Sequence, residues 1–295
     1  MTRRGLVLGC GGTLGLAWSV AALHSLRREL DWDPASAEVV VGTSGGAELA
    51  AILAAGFDLD DVLAARLGDP GAPALLLEHF AAGPSGVPPL PRPGFAAPGL
   101  LRARARGRVD GTAAAAGLLP IGTGDASWLL RLGEALAPSV RHPNLMLVAA
   151  DRRTGKRVPL REPLGHAIAA SWAIPGWFPP VTVGGREYID GGVVSPTSAD
   201  LLVPFGLDEV VVVAPMTSSG PVPARGIDRV ERVLRRPMTR RLDAEVAVLR
   251  ETGVRVRRVE PTAEALAVMG PNFMDRRRVP ATLEAALRTT VTGER

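Results

Sequence analysis

Apolar positions arrive in short unbroken runs along this chain, with polar positions collected between them. Leu6-Val7-Leu8, Val39-Val40-Val41, Leu145-Met146-Leu147-Val148 and Val210-Val211-Val212-Val213 are apolar throughout. Runs without alternation predict strands covered on both faces. Leu16 to Leu30 places apolar residues at helical spacing and gathers its charges at the end, so it predicts a helix. The residues after Gly46 predict another, to about Ala55. The opening 55 residues therefore read β-α-β-α, the pattern of a parallel sheet. Further on, Ala126 to Leu136, His166 to Ser171, Thr197 to Val203 and Ala281 to Leu287 read as helices, and Arg229 to Glu251 as a long basic amphipathic one. Arg157 to Leu160 reads as a short returning strand after the turn at Asp151 to Gly155, and Val254 to Val259 as the last strand. In between, 58–128 is an excursion: Asp60 to Leu67 and Leu75 to Phe80 look helical, whereas Gly83 to Gly99 is a Pro/Gly loop. The chain is expected to be one α/β domain over 1–295, with three α/β/α layers around a mainly parallel sheet and a C-terminal helical tail at 261–295.

The stretch around Ser44 changes the picture from fold to chemistry. Gly42-Thr43-Ser44-Gly45-Gly46 is Gly-x-Ser-x-Gly between a strand and a helix, the pattern of a nucleophile elbow. Its glycines suit a turn where backbone passes close on both sides. The alternative is a β–α turn whose serine caps the helix. Gly9-Cys10-Gly11-Gly12-Thr13-Leu14-Gly15 is a second glycine turn, after the first strand. It fits neither a dinucleotide motif nor a P-loop, because its sixth position is Leu14 and no Gly-Lys-Ser/Thr occurs. It suits an oxyanion hole, which needs backbone N–H donors beside the elbow; close strand–helix packing is the other account. Tyr188-Ile189-Asp190-Gly191-Gly192 ends a strand in an acid that can point into the same cleft, or cap the turn. Trp172, Pro175, Trp177 and Phe178 belong to an aromatic and proline loop that either lines an acyl pocket or packs on itself.

Hydrophobic residues make up 46% of the chain and the net charge is +4. The basic residues are arginines apart from Lys156, scattered among acids, which argues against a nucleic-acid footprint. Local clusters stand at Arg102, Arg104, Arg106 and Arg108 and at Arg276-Arg277-Arg278; a solvated face and attraction to anionic lipid are the two readings. The single Cys10 excludes an intrachain disulfide and a cysteine zinc site, and suits a cytoplasmic setting. Glycines interrupt the uncharged N-terminal stretch, which favours β–turn–α over a leader or span.

A serine nucleophile needs a base. Of His24, His79, His142 and His166, none sits in a late strand-end loop, where a hydrolase triad places its histidine. His166 is the nearest candidate; direct activation by Asp190 is the alternative.

The glycine turn, Gly42-x-Ser44-x-Gly46 and Asp190-Gly191-Gly192, in that order, resemble the patatin-like phospholipase family. So do Ala170 to Pro175, Phe178-Pro179-Pro180 and Ser195-Pro196-Thr197, over roughly 5–215 with 58–128 unmatched. The resemblance implies a patatin-like fold, Ser44 as nucleophile, Asp190 as base, and oxyanion donors at Gly11, Gly12 and Thr13. It implies hydrolysis of lipid acyl esters through an acyl-enzyme, with no metal. The expectation from the residues themselves is a cytoplasmic protein without a cofactor, and peripheral contact with membrane is one of the two readings of its basic clusters. Cys10 and Leu14 depart from the family's usual glycine and Arg/Lys in the turn. The rival readings are a Ser–His acyltransferase on a related core and a catalytically weak lipid-binding scaffold.

Overall fold

The computed structural model describes residues 2–84, 86–218 and 228–290. In chain order its strands and helices are β1 (Arg4–Leu8), α1 (Gly12–Leu30), β2 (Val39–Thr43), α2 (Gly45–Ala54), α3 (Leu59–Leu67), α4 (Ala74–Ala82), β3 (Arg92–Phe95), α5 (Gly99–Ala105), α6 (Gly111–Gly117), β4 (Pro120–Ile121), α7 (Ser127–Leu136), β5 (Leu145–Asp151), β6 (Arg157–Leu160), α8 (Leu164–Ser171), β7 (Val181–Val183), β8 (Arg186–Asp190), β9 (Glu209–Val213), α9 (Asp228–Glu251), β10 (Arg255–Val259), α10 (Ala263–Met269) and α11 (Val279–Thr289).

Eight strands form the central sheet in the order β10-β9-β1-β2-β5-β8-β7, with β6 also on β5. From β10 to β5 every pairing is parallel. Beyond β5 the pairings turn antiparallel. The unbroken apolar runs follow from helices on both faces. Leu6, Leu8, Val40, Leu147, Val211 and Val213 point into the core under α1, α2, α7, α8, α10 and α11. Val7, Val39, Val41, Val148, Val210 and Val212 point the other way, toward α9 and the 3-10 turn at Ala199–Phe205. Alternate residues of one strand thus serve two different cores, which is why the middle of each run is apolar on both faces.

Several local expectations give way to packing. Thr197 to Val203 is a 3-10 turn at Ala199–Phe205 rather than a regular helix, with Ser198 left-handed before it at φ 57° and Pro204 inside it. The Pro/Gly loop at Gly83 to Gly99 contains β3, which pairs with β4 in a small ribbon outside the main sheet. The C-terminal segment packs on the body of the fold: α11 lies on α1, and the Phe273 carbonyl accepts from Leu14 N–H in the first turn of α1 at 2.9 Å. The end of the expected tail, 291–295, lies outside the described residues. Among the described residues no helix is long and apolar enough to cross a membrane.

Candidate active site

Strand register brings Ser44 and Asp190 together. In the parallel pairing of β2 with β5, Thr43 stands opposite Val148. In the antiparallel pairing of β5 with β8, Asp190 stands opposite Ala149. Ser44, one residue beyond Thr43, is therefore level with Asp190 across β5. Two strand spacings of about 4.8 Å separate their backbones, a gap two short side chains can close.

Ser44 adopts φ 56° and ψ −125°, on the side of conformational space that L-residues avoid. Such a residue stores about 1–3 kcal/mol and persists where its surroundings over-determine it. Here they do. A Cβ on Gly46 would lie 2.1 Å from the Leu8 carbonyl oxygen, and one on Gly42 would lie 2.5 Å from that of Gly46. The Ser44 N–H donates to Ser171 Oγ at 2.8 Å, and the Ser171 hydroxyl donates to the Val148 carbonyl at 2.7 Å. The Ser44 side chain makes no capping bond to α2, so the capping account is not the arrangement found.

Asp190 is buried and accepts the Gly192 N–H at 2.6 Å. Burial raises its pKa to about 7; the hydrogen bonds from the Ser44 side chain and Gly192 N–H oppose that rise without cancelling it. A Cβ on Gly191 would fall 2.4 Å from the Val148 carbonyl oxygen, so the chain can leave β8 here only as glycine.

A cavity of about 200 Å³ joins these groups, lined by Gly11, Gly12, Ser44, Asp190 and Gly192 among others. Among the described residues the N–H groups of Gly11, Gly12 and Thr13 have no acceptor, whereas Cys10 N–H is bound by the Pro196 carbonyl and Leu14 N–H by that of Phe273. These free donors begin a 19-residue helix, where partial positive charge favours an oxyanion, and Gly11 and Gly12 are the two that line the cavity. Thr13 does not line this cavity; its carbonyl binds Arg66 and it borders a small void on the other side. Cys10 does line it, but burial, with the Asp190 carboxylate adding to it, holds the thiol protonated. Among the described residues no group of three His, Cys, Asp or Glu is placed to hold a metal ion.

Of the four aromatic-loop residues only Pro175 reaches the cavity wall. Trp172, Trp177 and Phe178 are buried in the main core, with Trp172 edge-on to Trp128, so this loop is chiefly packing. The histidines serve elsewhere. His79 pairs with Glu48 inside the core, His24 with Asp60, and His142 contacts the Ala37 carbonyl. His166 is exposed on α8, and none of the four lines the cavity.

The remaining wall comes from places that sequence patterns do not mark. Ala113, Ala116 and Leu119 come from α6 and its end, Met238 and Arg241 from α9, and Phe273 from the loop after α10. Glu245, buried on α9, ties that helix to the segment at 195–199 and to β6. It accepts from the hydroxyls of Ser195 and Thr197 at 2.6 and 2.7 Å, from Ala199 N–H at 2.9 Å, and from Arg241 and Arg157. A glutamate on an amphipathic helix gives no hint of this in sequence; the hydroxyl-rich Ser195-Pro196-Thr197-Ser198 opposite it is the only visible trace.

Among curated proteins nothing matches this chain. Among solved structures, the crystal structure of VipD from Legionella pneumophila is similar with a TM-score of 0.39 and 15% sequence identity, covering 100% of this chain and 68% of that one. Residues 94–203 match the family model described as Patatin-like phospholipase; the match takes in Asp190, starts within the stretch that the motifs leave unmatched, and lies C-terminal to Ser44. By that match and by the motifs around Ser44 and Asp190, the family this chain resembles is the patatin-like phospholipases.

Proposed function

We propose that the chain is a serine hydrolase of lipid acyl esters, working through a Ser44–Asp190 pair. Lipid acyl hydrolysis is what the family match implies. The observation that carries the finer reading is the meeting of a strained serine with a buried carboxylate of raised pKa in one cavity. A carboxylate near its ordinary pKa of 3.8 is a poor base for a hydroxyl; one raised to about 7 is better matched to neutral pH.

Ionised Asp190 takes the hydroxyl proton as Ser44 Oγ forms a bond to the ester carbonyl carbon. The carbonyl π electrons move to oxygen, and that oxyanion meets the N–H groups of Gly11 and Gly12 at the start of α1. The bond to the alcohol then breaks, and Asp190 returns its proton to the departing alkoxide. A water molecule attacks the acyl-serine with Asp190 again as base, releasing the carboxylic acid and restoring Ser44. The positions of the four histidines favour this route over a Ser–His pair.

The test uses p-nitrophenyl acyl esters with Ser44→Ala and Asp190→Asn, and a fluorophosphonate probe with the unsubstituted chain. Cleavage is expected to vanish in both variants, and the probe to label Ser44. Full cleavage by either variant removes the pair, and stoichiometric lipid binding without turnover would favour the scaffold reading.

A further inference from the structure

The segment at 87–119 differs from the rest of the surface in two ways at once. Nine large hydrophobic side chains stand exposed among the described residues, and six of them fall here: Val87, Leu90, Phe95, Leu101, Leu118 and Leu119. Leu90 is 90% exposed and Val87 79%. The same segment carries Arg92, Arg102, Arg104, Arg106 and Arg108 against the single acid Asp110, a net +4 that equals the net charge of the entire chain. All five arginines are exposed, and among the described residues none is ion-paired. The other cluster contrasts with it. Arg276 binds the carbonyls of Phe80, Ala81 and Gly83 at the end of α4, while Arg277 and Arg278 pair with Asp275.

Backbone bonds keep the apolar part together. Phe95 pairs with Pro120, and the N–H groups of Ala96 and Ala97 bind the carbonyls of Leu119 and Gly117. The patch is continuous with the site, because Leu119 is 45% exposed and also lines the cavity that holds Ser44.

We propose that this segment is the face by which the protein settles on an anionic lipid surface. Apolar side chains that enter the headgroup layer, interleaved with unpaired cations, are what such a surface selects. The arginines supply charge complementarity; Val87, Leu90 and Phe95 supply the inserted area; Leu119 leads from the interface to the hydroxyl. Choosing lipid over another polyanion rests on the acyl-hydrolase reading of the cavity.

The test is co-sedimentation of the full chain, as Ser44→Ala to prevent turnover, with phosphatidylcholine vesicles with and without phosphatidylserine. Binding is expected to be at least about tenfold stronger with phosphatidylserine. Adding Arg104→Gln, Arg106→Gln and Arg108→Gln together should remove that gain, and Leu90→Ser with Phe95→Ser should weaken binding to both vesicles. In the chain with Ser44 intact, both sets should leave hydrolysis of a soluble short-chain ester unchanged, which also reports that they fold. No preference for phosphatidylserine, full binding by both variants, or binding to a DNA oligonucleotide in place of vesicles would overturn the proposal. Vesicle binding without ester cleavage by the unsubstituted chain would fault the enzyme reading and leave this face standing.

Discussion

Replacing Asp190 by Asn should change how the stability of the protein depends on pH. The carboxyl group ionises near 3.8 in an unfolded chain and near 7 in the fold, because burial there outweighs its hydrogen bonds. Between those values the folded chain holds a proton that the unfolded chain has lost, so folding stability falls as pH rises through this window. The full gap is worth about 4 kcal/mol, at 1.36 kcal/mol per pH unit. Part of the loss is already present at pH 5, so between pH 5 and pH 8 the expected decline is about 3 kcal/mol. Asn keeps the shape and the acceptor for Gly192 N–H but cannot ionise. Urea unfolding of both proteins at the two pH values isolates the effect, since every other titrating group is common to them. The free-energy difference between variant and parent should move by about 3 kcal/mol in favour of the variant at the higher pH. A difference that stays constant within about 0.5 kcal/mol would mean that the carboxylate ionises freely in the fold. It would then be too weak a base for the proposed role. Kinetics offers the same check: kcat/KM of the parent should rise with pH to a plateau, half-way near pH 7.

Three further outcomes follow from the elbow. Ser171→Ala leaves the buried Ser44 N–H and Val148 carbonyl without their shared partner, and should cost about 1–3 kcal/mol in urea unfolding while lowering kcat more than it changes KM. Ser44→Gly should be inactive yet more stable than Ser44→Ala by about 1 kcal/mol, because only glycine is at ease at φ 56°; equal thermal midpoints for the two would refute the strain. Gly46→Ala drives a methyl group into backbone at 2.1 Å from Leu8 and should lose about 3 kcal/mol or more, or fail to fold, as circular-dichroism melting would register.

Much of this was legible in the chain because the decisive features are local. A run such as Val210 to Val213 has no plausible place except a strand buried on both sides, and Gly42-x-Ser44-x-Gly46 declares a turn by the side chains it lacks. Asp190 was legible as a strand-end acid, but not that its strand runs opposite to the one carrying Ser44; direction is a property of pairing, which single-strand patterns do not encode. The aromatic loop stays open in sequence for a related reason. Trp172, Trp177 and Phe178 have the chemistry of a pocket wall and of a core alike, and the glycines at 122 and 124, packed against Trp177 and Phe178, settle it for the core. Phe273 and Arg241 reach the site from distant parts of the chain, with Glu245 binding Arg241 from behind, and nothing in their own neighbourhoods points there.

The glycine turn and the elbow meet main chain to main chain: a Cβ on Gly45 would sit 2.6 Å from the Gly12 carbonyl oxygen. No rotamer lies between them to be altered, loosened or tuned. The separation of donor amides and nucleophile is therefore preorganised by the scaffold and closed to gradual adjustment, because any substitution at the seam is a steric failure before it is a kinetic variation. Diversification has its freedom in the side chains that α6 and α9 contribute to the wall. An enzyme built this way would change its choice of acyl group readily, and its rate-determining chemistry hardly at all.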